Sequence, residues 1–553
     1  MVNPMLRKKE EEFLTVTDST KKLFQAIYRE QKEQEKKDDE TPKISVSELI
    51  SKMSFYYEKI RNTVDYKEEH LLRKTAIERI LKRQILIEGA VKIRDLKSED
   101  ISRHLLTELI RAAYLPNNSI PETKIQEIAV IIQKYLNLKN DVIKRKDINY
   151  NEKNNLVNWI LSLAASDIEG DIGRNRVDKV IIDYMYDILI KNIKLQDNSP
   201  YHDDNEIQIY IGIYRNYLKF DHEMISFLLF KFFNSNWKKP NREQINQIAL
   251  HLEKIKEETE KQIKHPLSKQ YDRIISRYTV FFTILKDVID DDPQEVYESF
   301  KKDPKAFPRK IKQKCLSRYK DSKKKLWRAA IRSIIYIFIT KSVLAVLLEV
   351  PATKFFGEEL DYFALGVNVI FPALLLFLIV LFTKIPGDDN TKKIVEGVEE
   401  ITFQERERKE AFNLKIPVKR RTGLNFVFTI LYAVTFFISF GTIIGALHKL
   451  NFNFVSILIF LLFLAFVSFF SIRIRKNSKE LLIVPPRENI FSLFSDFFYV
   501  PIVLVGKWLS EKFSKVNVFV FVLDFIIEAP FKVLVEVTEE WTKYVKERKD
   551  EIN

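Results

Sequence analysis

Apolar residues in the first half of the chain recur every three or four positions, with polar residues between them. This spacing is clear in 67–87 and in the segments that begin at Ile101 and Ile125, and it predicts helices that bury one face. Further helices are predicted at about 151–166, 174–195, 204–218, 221–235, 241–263 and 268–290. Because the turns between them are short and contain Pro, Asn and Asp, we expect a bundle or solenoid-like stack of antiparallel helix pairs.

The second half contains four apolar runs of a different kind, each close to the ~20 residues that a helix needs to cross a bilayer. The last three contain no charged side chain, which is unusual for buried helices of a soluble protein. The predicted membrane spans are Ile331–Val350, Phe363–Thr383, Gly423–Leu447 and Phe454–Ile472. The pattern therefore predicts an all-α protein, with a multi-helix cytoplasmic domain followed by a four-helix transmembrane bundle and C-terminal amphipathic helices.

The change from periodic to uniformly apolar sequence also sets the predicted domain boundaries. The predicted parts are a charged N-terminal helix or partly disordered segment (1–40), the helical cytoplasmic domain (41–308), a basic juxtamembrane segment (309–328), the four-span domain (329–475) with a cytoplasmic loop (384–422), and C-terminal interfacial helices with a charged tail (476–553).

The number of Lys and Arg residues alternates between high and low in the successive segments that flank the four runs. Ten lie in Arg309–Arg328 and ten in the loop 384–422, whereas Pro351–Tyr362 contains one and the third loop contains only Lys449. Since positive residues remain on the cytoplasmic side, we predict a multi-pass protein of the plasma or inner cell membrane with both termini in the cytoplasm. The first residues also lack the apolar stretch of a signal peptide.

The basic residues before the first span predict contact with anionic lipid headgroups. The residues expected at the headgroups are Arg318, Lys320, Lys323, Lys324, Lys325 and Arg328. The net charge of +14 could instead indicate nucleic acid. We prefer lipid, because Glu and Asp interrupt the basic residues of the first half and no nucleic-acid-binding motif occurs.

Residue types that carry catalysis or hold cofactors form no recognisable motif, so we predict a non-enzymatic protein with no catalytic residue, cofactor or metal site. The only cysteine, Cys315, excludes an intrachain disulfide, and its basic surroundings predict an exposed, unreactive thiol. Asp167, Glu169 and Asp171 partly match a calcium-binding loop. Ile172 stands where that loop needs Gly, so a turn between helices is the better interpretation.

Polar residues inside the predicted spans are more informative. Lys341 lies in the middle of the first span and needs a partner or a wet cavity. Asn368 and Pro372 could bend the second span and present an amide beside the bend. Gly441 and Gly445 form a GxxxG pair in the third span, which favours close helix packing. Together they predict a packed bundle rather than isolated anchors.

Two short apolar stretches near the C-terminus, Ile490–Val505 and Val516–Ile527, are followed or interrupted by charges at helical spacing. The charged stripes are Lys507, Glu511 and Lys515 on the first and Asp524, Glu528 and Lys532 on the second. We predict amphipathic helices in the inner-leaflet interface. The alternative is a re-entrant hairpin that brings Asp524 or Glu528 to Lys341.

These features favour a membrane-anchored helical scaffold or docking protein that forms a homo-oligomer and binds a cytoplasmic protein. The alternative is an ion channel or transporter subunit with a polar pathway near Lys341. A membrane enzyme whose acid and base groups come from distant parts of the sequence ranks third.

Overall fold

The computed structural model describes most of the chain. The described residues are 16–35, 42–47, 68–88, 97–173, 175–195, 199–302, 306–357, 361–403, 412–415, 422–476, 480–484 and 490–515, with single residues between 52 and 58 and between 537 and 549. They form nineteen α-helices and one sheet of two short strands. The predicted all-α fold is therefore confirmed.

The chain divides into two compact units, which we call the helical unit and the span unit. The helical unit comprises Asp18–Thr279, Arg406–Ile416 and Val518–Asn553, and the span unit comprises the remainder. The helices of the helical unit are α1 (Asp18–Glu35), α2 (Glu69–Lys82), α3 (Ser98–Arg111), α4 (Thr123–Lys144), α5 (Tyr150–Ile172), α6 (Arg176–Asn192), α7 (Asn205–Asn216), α8 (His222–Phe233), α9 (Arg242–Leu250), α10 (Leu252–Ile263) and the first half of α11 (Ser268–Asp291).

Asparagine and aspartate fix the starts of several of these helices. Asn149 accepts a hydrogen bond from the backbone N–H of Glu152, whose carboxylate accepts one from the backbone N–H of Asn149. Asn241 forms the same reciprocal cap with Gln244. Such capping boxes satisfy N–H groups that have no partner inside the helix.

The core of the helical unit is a continuous apolar layer contributed by α2, α3, α4, α5, α8 and α9. Trp237 is among its largest buried side chains, and its indole N–H donates to the Tyr135 hydroxyl over 2.9 Å. The strands β1 (Ile193–Lys194) and β2 (Phe412–Asn413) pair in parallel. This pairing places part of the predicted loop 384–422 in the helical unit.

Among the described residues, the span unit contains four helices that are long and apolar enough to cross a membrane, and each overlaps one predicted apolar run. They are Ala306–Phe355, Tyr362–Leu381, Phe426–Lys449 and Phe454–Lys476. Its helices are α12 (Pro293–Lys302), α13 (Ala306–Leu344), α14 (Val350–Phe355), α15 (Tyr362–Leu381), α16 (Asp388–Phe403), α17 (Thr422–Lys449), α18 (Phe454–Lys476) and α19 (Ile490–Lys515).

A π-helix, Ala345–Glu349, joins α13 to α14 without a break, so the first span continues the helix that carries the basic residues. Helices α13, α15 and α18 pack together, and Leu326, Leu376 and Val467 belong to one buried cluster between them. The third span, α17, is the least buried of the four.

The predicted loop 384–422 also contributes α16 to the span unit. Asn390 of this helix is buried, and its amide donates to the Tyr319 hydroxyl over 2.9 Å and to the Leu481 carbonyl over 2.8 Å. Its amide oxygen accepts hydrogen bonds from the backbone N–H groups of Ile483 and Val484. One asparagine thus joins α16 to α13 and to the segment that follows the fourth span.

Candidate intramembrane polar site

Lys341 is fully buried in the first span, and the charge that faces it is Glu349 of the same span. The Lys341 Nζ lies 3.8 Å from Glu349 Oε2, and the two side chains are 0% and 1% exposed. The ammonium also lies 4.2 Å from the centre of the Phe463 ring of α18. A cation is attracted to the face of an aromatic ring, so the lysine has two favourable contacts inside the bundle.

The π-helix explains how these two side chains come to face each other. Residues eight apart in an α-helix point about 80° away from each other, because the helix turns by about 100° per residue. The π-turn is wider and turns less per residue, which rotates Glu349 back toward the face of Lys341. The hydroxyl of Thr353 donates to the Glu349 carbonyl over 2.7 Å in the following turn.

Two more helices bring polar groups to Glu349. The Asn368 amide of α15 donates to Glu349 Oε1 over 2.5 Å and to the Ser456 carbonyl of α18 over 3.1 Å. The Ser456 hydroxyl donates to the same carboxylate oxygen over 2.9 Å. Pro372 has no N–H, so the Asn368 carbonyl lacks its ordinary intrahelical partner. Lys341, Glu349, Asn368 and Ser456 form what we call the polar cluster.

Three atoms of the polar cluster have no hydrogen-bond partner among the described residues: Lys341 Nζ, Glu349 Oε2 and Asn368 Oδ1. Buried polar atoms are normally paired. The cluster therefore retains capacity to hold a proton, a bridging water or a small polar ligand, while its paired atoms join the first, second and fourth spans.

The predicted polar residues of the first two spans are thus brought together, but the partner of Lys341 was missed. Asp524, Glu528 and Lys532 lie outside the described residues, so the proposed hairpin contact stays a prediction. Glu349 was visible as a charge close to the end of the first apolar run.

Gly441 and Gly445 lie on α17, where a Cβ at either position would meet no atom within 4 Å. Within one chain this face therefore contacts no neighbouring helix among the described residues. Close packing through this pair stays a prediction.

The charged stripe on α19 is described in part. Lys507 and Glu511 are exposed, with 3.8 Å between Nζ and Oε1. The side chain of Lys515 lies outside the described residues.

The predicted headgroup residues lie on α13 before its apolar part. Lys320, Lys323, Lys324, Lys325 and Arg328 are exposed. Arg318 is also exposed, and it forms a two-pronged ion pair with Asp287, with distances of 2.6 and 2.5 Å.

Two predictions about candidate chemistry were wrong. Cys315 is completely buried rather than exposed, because the basic residues around it occupy the other faces of α13. Asp167, Glu169 and Asp171 lie inside α5 rather than in a turn. Each has a basic partner, and the Arg73 guanidinium holds Glu169 with distances of 2.8 and 2.6 Å.

Another buried charge of the helical unit is Lys74. Lys74 of α2 donates to Asp221 over 2.9 Å and to Glu223 over 2.8 Å, both at the start of α8. Burial acts to lower the pKa of Lys74, but the two carboxylates outweigh it and raise that pKa above its usual value. No group of three or more metal-ligating side chains occurs among the described residues.

Comparison with known proteins gives no match to a protein-family model, to a curated protein or to a solved structure. The fold and the four span helices indicate an all-α membrane protein. Its function has to be argued from its own residues.

Proposed function

We propose that this protein is a membrane-anchored helical scaffold, non-enzymatic and homo-oligomeric, whose helical unit docks a cytoplasmic protein. We place it in the plasma or inner cell membrane with both termini in the cytoplasm. The observation that carries the proposal is that buried polar groups of different spans form hydrogen bonds with one another. Glu349, Asn368 and Ser456 bind one another across three helices, as expected of an anchor that holds its own helices together.

Two further features support an anchor at an anionic inner leaflet. The exposed basic residues of α13 directly precede its apolar part, where each would gain roughly 1 kcal/mol near an anionic surface. The helical unit also has an apolar core of its own, so it can present a stable surface to a partner.

Crosslinking in native membranes, followed by purification and mass measurement, tests this proposal. We expect a homo-oligomer with a cytoplasmic protein crosslinked to lysines of the helical unit. A monomeric protein whose helical unit crosslinks to nothing else would contradict it.

A channel or transporter subunit is the second candidate, and it is favoured by the three atoms of the polar cluster that have no hydrogen bond among the described residues. A pathway that passes Lys341 predicts ion or solute flux in proteoliposomes, and Lys341→Met should change that flux. Equal flux in protein-free vesicles and in vesicles that contain the protein would rule out this candidate.

A further inference from the structure

Helix α19 touches the backbone of the fourth span. A Cβ built on Gly506 would lie 2.0 Å from the Ala465 carbonyl oxygen and 2.6 Å from its carbonyl carbon. Only a glycine permits such an approach. Ala465 is completely buried and lies near the centre of α18, so Gly506 lies at the depth of the membrane interior.

A second contact fixes the direction of α19. The Tyr499 hydroxyl donates to the Ser468 carbonyl over 3.0 Å and lies 3.1 Å from the Ser471 hydroxyl. Tyr499 precedes Gly506, whereas both serines follow Ala465. The two helices therefore run antiparallel, and the residues after Gly506 lie beside the first half of α18.

This placement puts charged side chains at membrane depth on the outward face of α19. The side chains of Lys507 and Glu511 are 55% and 63% exposed, and Trp508 and Lys512 are exposed beside them. Charged side chains at this depth normally face protein or water rather than lipid. Something other than lipid tails must therefore cover this face.

We propose that the Lys507–Glu511 face of α19 is the interface with a second copy of this chain. The inference deepens the proposed function, since it rests on the homo-oligomer and names its contact surface. The face suits a second copy because it carries both signs of charge. The two residues are one helical turn apart, about 6 Å along the axis, so Lys507 of each copy can reach Glu511 of the other, as in paired coiled-coil helices.

Complementary single variants give the sharpest test. Lys507→Glu makes both positions acidic, and Glu511→Lys makes both basic. Each variant alone should lose self-association by about tenfold or more, because like charges then face each other. The two variants, expressed together with different tags, should co-purify as a mixed pair.

Disulfide trapping locates the contact independently of charge. Cys315 is the only cysteine, so Cys315→Ala provides a cysteine-free background. In that background Trp508→Cys should form disulfide-linked dimers in membranes. Phe437→Cys on α17, which is 72% exposed, is the matched control and should not.

The outcomes separate the two proposals. If the protein is oligomeric but Trp508→Cys gives no dimer and both charge variants self-associate normally, this interface is wrong and the scaffold proposal stands. If the wild-type protein is monomeric in membranes, both fail. If an impermeant thiol reagent labels Trp508→Cys fully from the cytoplasmic side, α19 lies on the membrane surface and the inference is overturned.

Discussion

At the scale of single residues, the Lys341–Glu349 pair is the most consequential feature of the span unit. Both side chains are removed from solvent within the chain, and bringing two charges into such surroundings costs more than their attraction returns unless other groups bind them. Asn368 and Ser456 supply hydrogen bonds to Glu349. Removing either charge alone leaves the other without compensation.

We therefore expect Lys341→Met and Glu349→Gln each to destabilise the span unit by about 3–5 kcal/mol. The double variant should recover most of that loss, because no lone charge remains. Unfolding midpoints in mild detergent measure the effect, with the exposed Lys449→Met as the control. If the double variant loses the sum of the single losses, the pair does not act as a unit.

A second residue-scale prediction concerns His265 of the helical unit. Its side chain is buried beside Tyr201 and lies 3.4 Å from Asp204. Burial lowers the pKa of His265, against the raising effect of Asp204 and with a smaller lowering effect of Lys261. The unfolded chain, with a histidine pKa near 6.5, then binds more protons at acid pH than the folded chain. Stability should be full above about pH 6.5 and fall as the pH is lowered below it.

Hydrogen exchange of α10 and α11 at about pH 5 and pH 8 measures this effect. After correction for the intrinsic pH dependence of amide exchange, we expect lower protection factors at the lower pH, and a smaller difference in His265→Asn. Burial also lowers the pKa of His70, so His70→Asn serves as the comparison. An identical pH response in the wild type and in both variants would contradict the prediction.

Of the four residues of the polar cluster, Lys341 and Asn368 could be predicted from the sequence, whereas Glu349 and Ser456 could not. Lys341 stands out because a charge interrupts an apolar run, and Asn368 stands out because a neutral amide interrupts the next run. Glu349 lies near the end of its run, where a charge has an ordinary explanation in the membrane interface. Its orientation depends on the π-turn, which the largely apolar sequence of the first run does not indicate.

At the scale of helices and strands, Asn390 of α16 joins segments that lie far apart in the sequence. It binds Tyr319, Leu481, Ile483 and Val484 at once. We expect Asn390→Leu to leave these buried groups unpaired, at about 1–3 kcal/mol for each group that stays unpaired. Proteolysis within 480–484 should become faster. The exposed neighbour Asp389→Ala is the control and should leave the rate unchanged.

Helix boundaries followed from the sequence where capping residues mark them. The predicted helix 151–166 begins one residue late but ends six residues early, because Asp167 to Asp171 resembled a turn. The predicted helix 241–263 is two helices that meet at His251. The strands β1 and β2 are two residues long, too short to produce an alternating pattern.

At the scale of the whole molecule, the two kinds of hydrophobic pattern correspond to different kinds of structure. Segments with one-sided apolar periodicity form helices that bury one face in the helical unit. The uniformly apolar runs form the four span helices. Which distant segments join each unit did not follow from the sequence. Residues 406–416 belong to the helical unit, and this depends on contacts such as the hydrogen bonds between Gln270 and Lys415.

The exposed basic residues of α13 carry the last prediction, because they would fix the depth and orientation of the anchor. The prediction concerns the five that lie within 320–328, namely Lys320, Lys323, Lys324, Lys325 and Arg328. Replacing all five with Gln should abolish the enrichment of anionic lipid around the protein, since each contributes about 1 kcal/mol at an anionic surface. Mass spectrometry of lipids retained after extraction from mixed phosphatidylserine and phosphatidylcholine membranes measures this enrichment. The control replaces five exposed basic residues of the helical unit, namely Arg176, Lys238, Lys239, Lys254 and Lys261. Equal loss in both variants would mean that net charge, rather than the position of these residues beside the first span, attracts the lipid.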